Sequence, residues 1–82
     1  MNDLQIEYFL AAARNMSFSK AAQELFVSQP AISRQILALE QELGCPLFER
    51  LNRGIMLTAN GEMFYDFFER YRGELFDLKL RA

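Results

Sequence analysis

The side chains in this sequence best suited to chemistry lie between residues 17 and 53: Ser17, Ser19, Lys20, Ser28, Gln29, Pro30, Ser33, Arg34, Arg50 and Arg53. Apart from the apolar Pro30 they are hydrogen-bonding groups and fixed positive charges, the kinds of group that hold phosphates and read the edges of base pairs. Gln29 opens a segment that reads as a helix, where its amide can pair bidentately with an adenine edge or simply be solvated. Pro30 either touches a thymine methyl or serves only to start that helix. Ser33 and Arg34 follow four and five residues later and extend the same exposed edge. Arg34 suits guanine O6/N7 or a phosphate, against an ordinary solvated arginine, and Ser33 has the alternative of bonding back to its own helix. Arg50 and Arg53 flank a hairpin tip, where they can reach phosphates or a narrow A·T-rich minor groove, unless they are only soluble surface. Ser17, Ser19 and Lys20 sit where a helix begins, and free backbone N–H groups with a positive dipole end suit a phosphate. Capping alone would also account for the serines.

These residues need a scaffold, and the pattern around them supplies one. Residues 19–44 read as two helices joined by a tight turn, a common way of presenting side chains to the DNA major groove. Asp3 to about Asn15 reads as an amphipathic first helix, with Leu4, Tyr8 and Ala12 beside Phe9 and Ala13. Ser17 caps a short second helix whose Ala21, Ala22 and Leu25 face inward, and Phe26-Val27 forms the turn. Ser28 caps a third helix with Pro30 in its first turn, where a missing N–H costs nothing. Ile32, Ile36, Leu39 and Leu43 make one buried stripe; Gly44 is a left-handed cap and Pro46 prevents continuation.

From Leu47 to Thr58 the pattern turns extended, a small hairpin with Asn52-Arg53-Gly54 near its tip. Thr58 caps a long final helix from about Ala59 to Leu80. Phe64, Phe68, Tyr71, Leu75 and Leu78 repeat on it at alternating four- and three-residue spacing, a heptad-like seam. A domain of this size cannot cover so many aromatics, so the seam is expected to pair with the same helix of a second chain, while Met63 and Phe67 face the local core. The sequence stops with that helix still running and so reads as truncated.

Composition excludes much else. At 82 residues with 51% hydrophobic content the chain is one small domain with a modest core. No apolar run approaches the roughly 18 residues of a membrane span, and Met1-Asn2-Asp3-Leu4 lacks the layout of a signal peptide, which points to the cytosol. Cys45 is the single cysteine and there is no histidine, so neither an internal disulfide nor a Cys/His zinc cluster is available. Cys45 reads as a small turn filler. No cofactor is called for. The net charge is −2, which at first argues against nucleic acid. The distribution argues for it: Lys20, Arg34, Arg50 and Arg53 surround the reading face, whereas many acids fall toward the termini, at Asp3, Glu7, Glu62, Asp66, Glu69, Glu74 and Asp77.

Taken in order, Ser17-Phe18-Ser19, Ala21-Ala22, Leu25, Val27 through Ile36, Leu39-Glu40, Leu43-Gly44, Leu47-Phe48-Glu49-Arg50, Leu57-Thr58 and Gly61 resemble the N-terminal domain of LysR-type transcriptional regulators. The resemblance covers nearly the whole chain. It implies a mainly α fold, a winged helix-turn-helix DNA-binding domain over residues 1–58 with a three-helix core and a small β-hairpin wing. A linker and dimerisation helix follows over 59–82. It further implies homodimeric, sequence-specific binding of double-stranded DNA at an interrupted inverted repeat, in bacterial transcription control, with any small-molecule effector bound by a domain absent here. Two positions depart from the pattern. Leu37 stands where a basic residue is frequent, removing one phosphate contact, and Asn60 stands where Ala is usual.

Two other classes are weaker. A protein-interaction module working through the aromatic final helix would have no need of the polar Ser28 to Arg34 edge. An enzyme would need a nucleophile paired with a base, or a phosphate loop, and the sequence offers neither.

Overall fold

The computed structural model describes residues 1–82 as four helices and one antiparallel hairpin. Helix α1 spans Asp3–Asn15, α2 Phe18–Leu25, α3 Gln29–Leu43, and α4 Ala59–Arg81; strands β1 (Phe48–Arg50) and β2 (Ile55–Leu57) lie between α3 and α4. The register pairs Phe48 with Leu57, Glu49 with Met56 and Arg50 with Ile55. This is the three-helix core, wing and long final helix that the sequence predicts.

Every helix starts on a side-chain cap. Asn2, Ser17, Ser28 and Thr58 accept from the backbone N–H three residues on, in Gln5, Lys20, Ala31 and Gly61. Helix α1 departs from its expected amphipathic form. Gln5, Ile6 and Tyr8 through Ala13 are all buried while Leu4 is exposed. The reason is position: α1 is the central helix, with α2, α3 and α4 all packed against it. Its Ala11-Ala12-Ala13 run and the Ala21-Ala22 pair of α2 let backbones approach closely. Phe9 occupies the middle of the core, with ring centroids of Phe48, Phe68 and Tyr65 at 5.4, 5.8 and 6.5 Å. From α3, Ile32, Ile36 and Leu39 are fully buried and Leu43 partly so, as the stripe requires. Cys45 fills the turn after Gly44, partly buried against the core.

The wing is tied to the body through its backbone groups, by the Glu40 carboxylate, the Thr58 hydroxyl and main-chain bonds. Glu40 accepts from Leu47 N at 2.7 Å and Phe48 N at 3.3 Å, Thr58 N donates to Leu47 O at 3.0 Å, and Thr58 Oγ1 donates to Pro46 O at 2.7 Å. At the other end Ile55 N donates to Met16 O at 3.4 Å. Gly54, at φ +85°, sits over that same carbonyl, where a Cβ would come within 2.9 Å of Met16 O. Glycine is therefore required there by backbone conformation and by space.

On α4 the sequence-based assignment of faces needs correction. Phe68, placed in the dimer seam, is 1% exposed and packs on Phe9. Met63 and Phe67, assigned to the local core, are 62% and 51% exposed. Tyr71, Leu75 and Leu78 of the expected seam lie on the open side, but in the first turns of α4 Met63 and Phe67 take the places expected for Phe64 and Phe68. Helix α1 takes up the Phe68 side, with Phe64 partly buried beside it. The open apolar stripe is Met63, Phe67, Tyr71 and Leu78, with half-buried Leu75 at its edge.

Phe26, the residue linking α2 to α3, has φ +57° and is 95% exposed. A left-handed conformation costs a non-glycine residue about 1–2 kcal/mol, and so exposed a ring offsets little of it by packing. Allowing for the entropy a glycine loses on folding, Phe26→Gly is expected to stabilise the domain by about 0.5–1 kcal/mol in thermal or denaturant unfolding. A loss of stability instead would mean that the ring packs in solution.

Candidate nucleic-acid interface

Capping by Ser28 and the φ restriction of Pro30 start α3 at Gln29, so the first turn of the helix presents its polar edge outward. Ser28, Gln29, Pro30 and Arg34 are exposed and Ser33 is half-buried behind Gln29. The opposite edge carries the buried Ile32 and Ile36. The Gln29 Nε2 donates to Ser33 Oγ at 2.7 Å, so Ser33 partners Gln29. Ser28 Oγ is committed as the cap of α3, accepting from Ala31 N at 3.2 Å.

The second part of the surface joins the start of α2 to the turn end of the wing. Ser17, Phe18, Ser19, Arg50, Leu51, Gly54 and Ile55 line one shallow hollow. Ser17 Oγ accepts from Lys20 N at 3.1 Å; Phe18 N and Ser19 N, in the first turn, have no intrahelical acceptor. The Arg50 guanidinium lies 4.5 Å from the centre of the Phe18 ring, a cation–π contact that fixes the charge beside the helix terminus. Phe18 is therefore both a core residue and the seat of a surface charge. It forms a T-shaped pair with Phe48 at 5.5 Å and carries Arg50 over its ring. No spacing in the sequence announces that pair, since the two residues are brought together only by the wing folding back. The Ser17, Ser19 and Arg50 trio is thus one assembled cluster; Arg53 stands apart on the exposed tip.

Basic side chains free of salt bridges lie on this surface and also along α4, at Arg70, Arg72, Lys79 and Arg81. Lys20, Arg34, Arg50 and Arg53 make no salt bridge, whereas Arg14 is spent on Glu24 at 2.6 Å. Hydrogen bonds from Asn15 and then Arg14 hold the Glu24 carboxyl below the ordinary carboxylate range, clasping the end of α1 to α2. Charges left unpaired on an exposed face are available to an anion. The chain has no group of three or more histidine, cysteine or acidic side chains placed to hold a metal, and no helix is long and apolar enough to cross a membrane.

Residues 4–62 match the model of the bacterial regulatory helix-turn-helix protein, lysR family. Over 61 residues, 74% of this chain, the sequence is 52% identical to the HTH-type transcriptional regulator BudR of Klebsiella aerogenes, covering 43% of that protein. Over 65 residues, 79% of this chain, it is 49% identical to the glycine cleavage system transcriptional activator of Escherichia coli K12, covering 21% of it. The chain thus spans less than half the length of these relatives. Among solved structures, the CbnR DNA-binding domain in complex with DNA superposes with a TM-score of 0.94 at 42% identity, over 99% of this chain and 93% of that one. The BenM DNA-binding domain bound to catB site 1 DNA gives 0.93 at 36% identity, over 99% and 91%. Fold and sequence agree with those structures over nearly the whole chain, and with the family model over residues 4–62: the chain belongs to the LysR family of bacterial regulatory helix-turn-helix proteins and is a winged helix-turn-helix DNA-binding domain of that family, not an enzyme.

Proposed function

We propose that this domain binds double-stranded DNA sequence-specifically, as a homodimer on an interrupted inverted repeat, and thereby regulates transcription in the bacterial cytoplasm. The observation that carries the reading is the outward edge of α3 from Ser28 to Arg34, flanked by the Arg50 hollow, with its basic side chains free of salt bridges. Each α3 enters one major groove with Gln29 against base edges and Pro30 beside them. Arg34 lies against guanine or phosphate. Ser17, Ser19 and Lys20 at the α2 terminus and Arg50 in the hollow hold phosphates, and Arg53 on the tip reaches toward the adjacent minor groove. CbnR and BenM domains of closely similar shape are themselves found on DNA.

Residues 1–58 form the reading unit and 59–82 the linker and dimerisation helix. The exposed stripe Met63, Phe67, Tyr71 and Leu78, with Leu75 at its edge, supports pairing of α4 with its copy; Phe64 contributes from the margin. An effector small molecule would act through a further domain of the longer protein.

Titration of a preferred and a scrambled duplex distinguishes the roles. Gln29→Ala is expected to cost on the order of 1–3 kcal/mol on the preferred duplex alone, flattening preference at one base pair. Arg53→Ala is expected to weaken both duplexes together. Equal losses on both duplexes from Gln29→Ala would remove that residue from the base contacts.

A further inference from the structure

The Gln29 amide already has a partner before it meets DNA, the Ser33 hydroxyl. A primary amide has two N–H donors and a carbonyl acceptor, and an unrestrained glutamine can meet a base edge in either of two ways. It can offer one donor and one acceptor, matching N7 and the N6 amino group of adenine. It can also turn both N–H groups toward the N7 and O6 acceptors of guanine. In this domain one Nε2 hydrogen is already directed at Ser33 Oγ, 2.7 Å away and one turn further along α3. What remains facing outward is a single N–H beside the Oε1 carbonyl. That pair fits adenine, whereas opposite guanine the carbonyl oxygen would face O6, two acceptors together. Ser33 is half-buried and Gln29 exposed, so the hydroxyl sits behind the amide as a backstop.

We propose that Ser33 is a positioning residue that sets Gln29 to accept adenine and reject guanine. The inference rests on the reading of Gln29 as a base contact and adds to it the residue that enforces adenine over guanine. The hydrogen bond is present without DNA, so the amide enters the groove already oriented and loses less rotamer freedom on binding.

The test uses this domain and the duplex it prefers. The base pair assigned to Gln29 is the one whose preference Gln29→Ala flattens. Binding constants are then measured with A·T and G·C at that position for the wild type, Ser33→Ala, Ser33→Thr, Gln29→Ala and the Gln29→Ala/Ser33→Ala double variant, with circular dichroism as the check on folding. The wild type is expected to favour adenine by about tenfold or more. Ser33→Ala is expected to bring that ratio most of the way to one, and Ser33→Thr, which keeps the hydroxyl, to restore it. In the Gln29→Ala background, removal of Ser33 is expected to change nothing further, because its effect runs through the amide. A bound duplex whose adenine-to-guanine ratio is untouched by Ser33→Ala overturns this proposal alone. So does an equal loss from Ser33→Ala with and without Gln29, which would make the hydroxyl an independent DNA contact. Absence of any position flattened by Gln29→Ala overturns the underlying base-contact reading and this one with it.

Discussion

Gly61→Ala is expected to destabilise this domain by about 3 kcal/mol or more, a large share of the roughly 4–12 kcal/mol available to a chain of this size. Helix propensity alone gives the opposite sign, since alanine is favoured over glycine in a helix interior by about 1 kcal/mol. The close approach of α4 to the wing decides the outcome. Gly61 is buried in the first turn of α4, and a Cβ there would run into the carbonyl oxygen of Leu47, with the Leu47 carbonyl carbon and Leu57 Cδ2 each at 3.0 Å. Two of these atoms are backbone and cannot rotate away. The same Leu47 carbonyl accepts from Thr58 N at 3.0 Å, and Thr58 Oγ1 caps α4 by accepting from Gly61 N at 2.9 Å while donating to Pro46 O at 2.7 Å. Relief of the clash therefore loosens the cap and the seat of the wing together. Denaturant unfolding with the slope held constant measures the loss; a Gly61→Ala variant as stable as the wild type would mean that the helix and wing are further apart in solution.

Affinity for duplex DNA is expected to fall by about 10³- to 10⁴-fold between 50 and 200 mM salt, for roughly six to eight phosphates neutralised by the proposed dimer, with a slope of about −5 to −7 in log K against log salt. The magnitude follows from the unpaired Lys20, Arg34, Arg50 and Arg53 on each subunit. The sign is notable for a chain of net charge −2: the acidic remainder repels the duplex, so binding depends wholly on one face. Leu37, exposed on α3, contributes no charge, and Leu37→Lys is not expected to disturb the fold. A shallow slope of about −1 or −2 would mean that these side chains stay solvated when DNA is bound.

Much of the fold is legible in the sequence because its signals are local. Ser17, Ser28 and Thr58 are caps, Pro30 and Gly44 bracket α3, and Gly54 marks the wing; each acts within a few residues of itself, and each stands where expected. What the sequence hides is set by tertiary neighbours. Helix α1 looks amphipathic because Leu4 and Tyr8 share a face, yet it is surrounded, and only the packing of three other helices determines that. On α4 the apolar residues spread over more than half the circumference, so periodicity cannot say whether Phe68 or Phe67 faces inward; the docking of α1 decides for Phe68. The site shows the same division. The α3 edge is two short runs one turn apart, Ser28 to Pro30 and Ser33-Arg34, and can be read directly, whereas Arg50 on Phe18 joins positions far apart in the chain.

Selection of bound sequences from a random duplex pool at moderate salt tests the central claim most directly, that this domain is a dimeric reader of DNA sequence. The expected result is enrichment of an interrupted inverted repeat, with preference lost at one symmetric pair of positions when Gln29→Ala is selected in parallel. A folded domain that enriches no sequence, or enriches one that Gln29→Ala leaves unchanged, would contradict the account.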